Sequence, residues 1–421
     1  MSKNMKKTNT IQQGGLSQDR LHRLSRTLQG YVDRNEIAGI VALIHRRGEE
    51  AYVESIGWQD KEAQLPIQRN TLFRIASMTK PITTVAALTL VEEGKIRLFD
   101  PIDIWLPELA NRMVMRDPMG SPDDVFPSPR PITLHDLLTY RLGIGWGKSS
   151  LRQRLLALTP STIADVLQIQ DVERLAPDAW MARLGEFPLL NKPGEHWRYQ
   201  VASEILGVLI TRVTGKPLEA FLRECLFEPL GMMDTSFVVP AKKRSRLATL
   251  YAQTPKGGLV VRDHPENTLW AEPPLFPSAG GGLVSTVDDF QRFGRMMLNN
   301  GELEGIRILS RKTVEAMTTD YLTPEQHTHI TSELDRYDMD RSAGPWDNWG
   351  FGYGVAVRTK RIGLGPSVGS FYWPGAFGTT WIADPQEGLV ATLLIQVLGA
   401  NPFYTQVGED FLTLTYQSIS D

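Results

Sequence analysis

Strand-like runs lie near both ends of this chain and helical patterns fill its middle, an order that leaves few ways to complete a sheet. Gly39 to His45 and Glu50 to Ile56 are apolar or alternating runs joined by the charged turn Arg46-Arg47-Gly48-Glu49-Glu50, which predicts a hairpin. Far along the chain, Phe351–Arg358, Ser367–Tyr372, Thr379–Ala383 and Leu389–Leu398 read as strands, followed by a helix from about Tyr404 to Ser418. Between them, from Met78 to about Phe227, apolar residues recur at helical spacing. Ahead of the first hairpin, Leu21, Leu24, Leu28 and Tyr31 mark an amphipathic helix over 17–37, with Ser17 as its N-cap. The expected class is α+β: an antiparallel sheet drawn from both chain ends, flanked by helices, with a mostly helical region inserted. The expected limits are a disordered lead-in over 1–15, a sheet region of 16–75 plus 285–421, and a helical region of 76–284, with the active site between the two regions. The Pro-rich stretch 112–131 reads as a long functional loop, and Ser285 to Phe290 carries a capping pattern that opens a further helix.

Composition narrows the function. With 42% hydrophobic and 22% charged residues in 421, a sizeable core is available and global disorder is excluded. The 45 basic against 48 acidic residues, net −3, oppose a nucleic-acid partner and a polybasic membrane-surface role. The single cysteine, Cys225, excludes an internal disulfide, cysteine-rich zinc sites and iron–sulfur clusters; its helical surroundings suggest a small buried residue. The polar N-terminus has no apolar signal-peptide core, and the apolar run Gly388–Leu398 falls short of the about 20 residues a membrane span needs. A cytoplasmic protein with no membrane partner and no cofactor is the expectation; oligomeric state is open.

Three stretches carry chemistry. The first is Phe73-Arg-Ile-Ala-Ser77-Met-Thr-Lys80-Pro81, running into a helix that Gly94 ends. Pro81 is tolerated only in a first helical turn, so the helix starts at or just before Ser77. Ser77 and Lys80, three apart, share a face. A serine hydroxyl becomes a good nucleophile once a base takes its proton, and a desolvated amine can do this. Alone, Ser-x-x-Lys is weak, with on the order of one chance match in such a chain; a serine cap beside a surface lysine is the plainer alternative. The second stretch, Pro193-Gly-Glu-His-Trp-Arg-Tyr199-Gln-Val, places Tyr199 ahead of a helix over 202–214. A phenol beside an ammonium can ionise in part, whereas a packed tyrosine at a helix start is the alternative. The third, Ser370-Phe-Tyr-Trp373-Pro-Gly375-Ala376-Phe-Gly378-Thr-Thr-Trp381, has glycines where a ligand or backbone comes close. The N–H of Ala376 could serve as an oxyanion donor; a strand bend among aromatic residues explains the same letters.

Together these motifs resemble the class C type of serine beta-lactamase-fold hydrolases, and most of all the esterase branch known as family VIII carboxylesterases. The resemblance runs from about residue 17 to the end and includes Gly215-Lys-Pro-Leu-Glu-Ala-Phe221, Phe227 to Phe237 and Gly280-Gly-Gly-Leu-Val-Ser285. It implies the beta-lactamase/penicillin-binding-protein fold, Ser77 as nucleophile, Lys80 as its partner, Tyr199 as base and then acid, and the N–H groups of Ser77 and Ala376 as oxyanion hole. Trp373 and Gly375 become substrate-binding positions. Penicillin-binding members carry a cationic or His residue where Trp373 stands, and the lactamases carry an Asn where Val201 stands. Apolar groups at both positions favour uncharged esters over anionic lactams. The resulting expectation is a serine carboxylesterase acting on small short- to medium-chain esters through an acyl-enzyme. A beta-lactamase, a D-amino-acid peptidase or amidase, an acyltransferase, or an inactive sensor of the same fold are the alternatives.

Two rivals are weaker. Gly365-Pro-Ser367-Val-Gly369 fits G-x-S-x-G, but that elbow needs a helix after the serine and a histidine downstream, and no histidine follows Ser367. His327 and His329, near Glu325, could hold a metal, but they sit in a polar stretch and no metal is expected.

Overall fold

The computed structural model describes residues 13–254, 256–327, 348–399 and 405–421. The helices and strands that frame the site, in chain order, are α1 (Gln18–Asp33), β1 (Gly39–Arg46), β2 (Glu49–Asp60), β3 (Leu65–Pro66), α2 (Thr79–Glu92), α3 (Val201–Thr214), α4 (Val287–Leu298), β4 (Trp349–Phe351), β5 (Ala356–Arg358), β6 (Phe371–Tyr372), β7 (Thr380–Asp384), β8 (Leu389–Ile395) and α5 (Gln406–Gln417). The eight strands form one antiparallel sheet in the order β4-β5-β6-β7-β8-β1-β2-β3. The two chain ends meet at its centre, where Ile40 pairs with Ile395 and Arg46 with Leu389.

Every residue of β1 is buried, as expected for a strand covered on both faces. Side chains alternate along strands, so neighbours in sequence report opposite faces. On one face Trp381 of β7 meets the rings of Phe290 and Phe293 from α4, each at 5.6 Å, and Thr392 donates to Gln291 of α4 at 2.8 Å. On the other, Tyr52 of β2 meets Ser25 of α1 at 3.2 Å, and Tyr31 of α1 donates to Asp410 of α5 at 2.6 Å. α2 is buried from Thr79 to Leu90, so no side of it reads as a polar face; it packs against α3.

Several expectations shift. Ser17 stands at the N-cap of α1, but its side chain makes no capping bond; its N–H donates to Ser418 instead, tying the helix to the chain end. The helix stops at Asp33, short of Ile37. The lead-in expected through residue 15 is ordered at its end: Gln13–Gly15 form a turn whose Gly14 carbonyl accepts from the buried Arg46 guanidinium at 2.7 Å. Residues 1–12 lie outside the described residues. The 112–131 loop contains a small hairpin, Met113–Met115 paired with Val125–Pro127. The strand read over 351–358 is two strands, β4 and β5, because a turn closed by Gly352 N–H on the Val355 carbonyl interrupts the apolar run. The run Leu389–Leu398 also divides. Gln396 turns its amide to Arg74, and Val397–Leu398 join a second sheet beside Leu250–Gln253.

Candidate active site

Ser77 is delivered by a short strand, a sharp turn and a helix. Phe73–Arg74 pairs with Val284–Ser285. The Arg74 guanidinium behind it is fully buried against Asp263, the Ala248 carbonyl and Gln396. Ala76 then adopts φ +46°, a left-handed conformation that costs a residue with a β-carbon and that persists where surroundings over-determine it. The chain turns through Ala76–Met78 into α2, with Pro81 in its first turn. Ser77 is half-buried at the mouth of this turn.

Lys80, one turn on, is 1% exposed. Its three ammonium hydrogens are all engaged: on Ser77 Oγ at 3.0 Å, Gln200 Oε1 at 2.9 Å and the Gly280 carbonyl at 2.5 Å. The Tyr199 hydroxyl donates to Ser77 Oγ at 2.8 Å, and Lys80 Nζ lies 4.6 Å from the Tyr199 ring centre. The phenol is held from all sides. Its ring stacks on Trp197 at 5.7 Å, its backbone carbonyl accepts from Trp146 N–H at 3.0 Å, and Trp373 lies 5.9 Å away. The structure thus brings Ser77, Lys80 and Tyr199 into direct contact.

The third motif reaches the same place. A β-carbon on Gly375 would run into Thr379 Oγ1 and the Ile75 carbonyl oxygen, and would lie 3.3 Å from Ala76 Cβ. Glycine is what lets this segment press against the residues just before Ser77. Thr379 reinforces the contact by donating to the Ile75 carbonyl at 3.0 Å. Ala376, half-buried, follows directly. Trp373 is 4% exposed, wedged between Tyr199 and Phe351, whose ring is 5.4 Å off. It backs the site as an uncharged wall.

A family model described as Beta-lactamase matches residues 24–408. The chain belongs to the beta-lactamase family. Esterase EstB of Burkholderia gladioli is 31% identical over 398 residues, covering 88% of this chain and 89% of that protein. Monacolin J acid methylbutanoyltransferase of Aspergillus terreus is 27% identical over 368 residues, with coverage of 84% and 82%. The solved structure of EstCE1, described as a hydrolase with promiscuous acyltransferase activity, superposes with a TM-score of 0.75 at 24% identity, over 96% of this chain and 98% of that one. This beta-lactamase family member is a serine hydrolase of the esterase and acyltransferase type.

Two side chains that sequence reasoning passed over complete the site of this family member. Val201 takes the position where lactamases have Asn, but the amide beside Lys80 comes from Gln200. Gln200 occupies φ 73°, ψ −63°, the centre of a strained three-residue turn that Val201 N–H closes on the Tyr199 carbonyl at 3.1 Å. Behind it, Glu204 is buried, and burial pushes its carboxyl above the ordinary range while donors from Ser278, Gly280 and Gln200 oppose the rise. The available signal was a lone acid opening the apolar run Ile205–Ile210, four residues after Gln200.

The rivals separate from this cluster. Ser367 lies in a turn, its N–H on Asp384 at 2.9 Å, and the chain after it enters β6 instead of a helix. Cys225 is half-buried in a widened helical turn, and desolvation pushes its thiol up to about 12, which keeps it from acting as a thiolate. His327 bonds Asp320 at 2.9 Å, and His329 lies outside the described residues. Among the described residues no group of three or more His, Cys, Asp or Glu is placed to hold a metal ion, and no helix is long and apolar enough to cross a membrane.

Proposed function

We propose that Ser77 is the nucleophile of an acyl transfer from uncharged carboxylic esters, with water or a second alcohol as acceptor. The observation that carries the reading is the placing of Ser77 Oγ at hydrogen-bond distance from both Tyr199 Oη and Lys80 Nζ. The Ser77 oxygen bonds to the ester carbonyl carbon while its proton passes to the Tyr199–Lys80 pair, in which Tyr199, as the phenolate beside the Lys80 ammonium, receives it. The oxyanion that forms meets the N–H groups of Ser77 and Ala376. As the ester C–O bond breaks, the relay returns the proton to the departing alcohol. Water or an acceptor alcohol then gives its proton to the same relay and attacks the acyl carbon, and the Ser77 Oγ–acyl bond breaks as the relay passes that proton to Oγ.

The choice of donor rests on Trp373. A buried indole offers no charge partner to a carboxylate, where a cationic residue would supply a bond worth roughly 1.5–3 kcal/mol. The acceptor alcohol is supported by the methylbutanoyltransferase relative, and water by the esterase relative. The test is p-nitrophenyl butyrate turnover with and without a primary alcohol, beside nitrocefin. The expected result is faster turnover of the ester than of nitrocefin, formation of a new butyrate ester when alcohol is present, and no turnover by Ser77→Ala. Preference for nitrocefin, or activity in Ser77→Ala, would overturn the proposal.

A further inference from the structure

We infer that Glu204 is a positioning residue for Lys80, holding the ammonium in place through the Gln200 side chain and the Gly280 backbone. The inference rests on the reading of Ser77 and Lys80 just given and extends it to the groups behind them.

Two routes join the carboxylate to the ammonium. In the first, Gln200 Nε2 donates to Glu204 Oε1 at 2.7 Å while Gln200 Oε1 accepts from Lys80 Nζ at 2.9 Å. In the second, Gly280 N–H donates to Glu204 Oε2 at 3.4 Å while the Gly280 carbonyl accepts from Lys80 at 2.5 Å. Ser278 Oγ adds a third donor, 2.7 Å from Glu204 Oε1. A carboxyl group that receives three donors is matched to its anionic form, which only accepts. A buried ammonium in turn requires negative charge close by. The titratable groups facing Glu204 are Lys80 and, beyond Ser203, Tyr140, whose hydroxyl lies 2.6 Å from Ser203 Oγ.

The amide route also fixes orientation. Gln200 Oε1 can accept from Lys80 only while its NH2 faces an acceptor, and Glu204 is that acceptor. A protonated or neutral group at 204 would let the amide turn over and set NH2 against ammonium. The strained turn at Gln200 couples this to Tyr199, the residue before it. Gly280 leaves no slack: a β-carbon there would lie 2.7 Å from both Gln200 Nε2 and Glu204 Oε1.

The experiment uses the full-length enzyme and p-nitrophenyl butyrate, with kcat and KM measured across pH and active sites counted by a serine-reactive phosphonate. Losing a charge-assisted contact predicts a fall in kcat of about ten- to a hundredfold for Glu204→Gln, with KM within about twofold. Ionisation of Glu204 should shape the acid limb of the wild-type kcat profile, so Glu204→Gln should lose that limb and Glu204→Asp should keep it and recover part of kcat. Gln200→Leu, which cuts one route, should lower kcat in the same way, and the Gln200→Leu/Glu204→Gln double variant should be little worse than the poorer single one. A Glu204→Gln enzyme with wild-type kcat, or with the wild-type acid limb, overturns the inference. If that variant does not fold, wild-type kcat in both Glu204→Asp and Gln200→Leu overturns it equally. Ester turnover by Ser77→Ala would instead overturn the Ser77 reading, so the two failures are distinct.

Discussion

Replacing Gly375 by alanine tests how the third motif serves Ser77. The new methyl group would lie well inside the 3.0 Å that real β-carbons keep, against Thr379 Oγ1 and the Ile75 carbonyl. Neither can yield cheaply. The Ile75 carbonyl is backbone, its N–H is held by the Leu283 carbonyl at 3.0 Å, and Thr379 Oγ1 is already bonded to it. The segment carrying Gly375 must therefore retreat, stretching its 2.7 Å N–H bond to the Thr379 carbonyl and moving Ala376 with it. Overpacking of this kind costs about 1–3 kcal/mol of stability. If the Ala376 N–H steadies the oxyanion, its displacement should lower kcat by about 10²–10³. KM should change little, because the donor acts on charge that develops in the transition state. The assay is the acylation burst with p-nitrophenyl butyrate together with thermal unfolding. Gly365→Ala is the control, since a β-carbon there meets no atom within 4 Å. A Gly375→Ala enzyme that loses stability but acylates at the wild-type rate would refute Ala376 as a donor. One that loses neither would refute the packing argument itself.

Three further outcomes follow from the same structure. Ser77→Ala should abolish both turnover and phosphonate labelling while Ser367→Ala keeps them, and labelling that depends on Ser367 would reverse the assignment. Trp373→Lys should raise nitrocefin turnover relative to p-nitrophenyl butyrate by about tenfold, while ester kcat falls because the ring backing Tyr199 is gone; an unchanged ratio would remove Trp373 from substrate choice. Burial, and then Arg295, push the His45 imidazole down to about 4 from 6.5, so in that window the unfolded chain binds more protons and stability falls as pH falls from 6.5 towards 4. Allowing for partial solvent screening, the loss should be about 1–2 kcal/mol, and His45→Leu should flatten unfolding midpoints over that range.

What could be read from the letters alone follows from range. Ser77, Lys80 and Pro81 sit within one helical turn, so local rules placed them, and the apolar runs announced a sheet made from both ends. The contacts that make the site work are non-local. Nothing in Gly375 says which backbone it presses against, and nothing in Glu204 says it will be buried behind a lysine more than a hundred positions earlier. Backbone strain is equally silent: Ala76 and Gln200 take positive φ because their surroundings impose it, against their own preference. The split of 351–358 into β4 and β5 was hidden because a tight turn inside an apolar run keeps the composition of a strand.

The central pairing of β1 with β8 has a consequence for how the protein is made. When β1 and β2 leave the ribosome, the partner of Ile40 is still to be translated, because it is Ile395. Until then the edge of β1 that β8 will cover offers unpaired N–H and C=O groups along a strand whose side chains are all destined for burial. Such late closure is slow and leaves the nascent chain open to aggregation. A message truncated before codon 389 would yield a chain with no strand to fill that edge, and Gly375 would have to meet Ile75 and Ala76 from a sheet lacking its middle. Loss of the last thirty or so residues should therefore give insoluble protein, with no weakened but folded enzyme to be recovered.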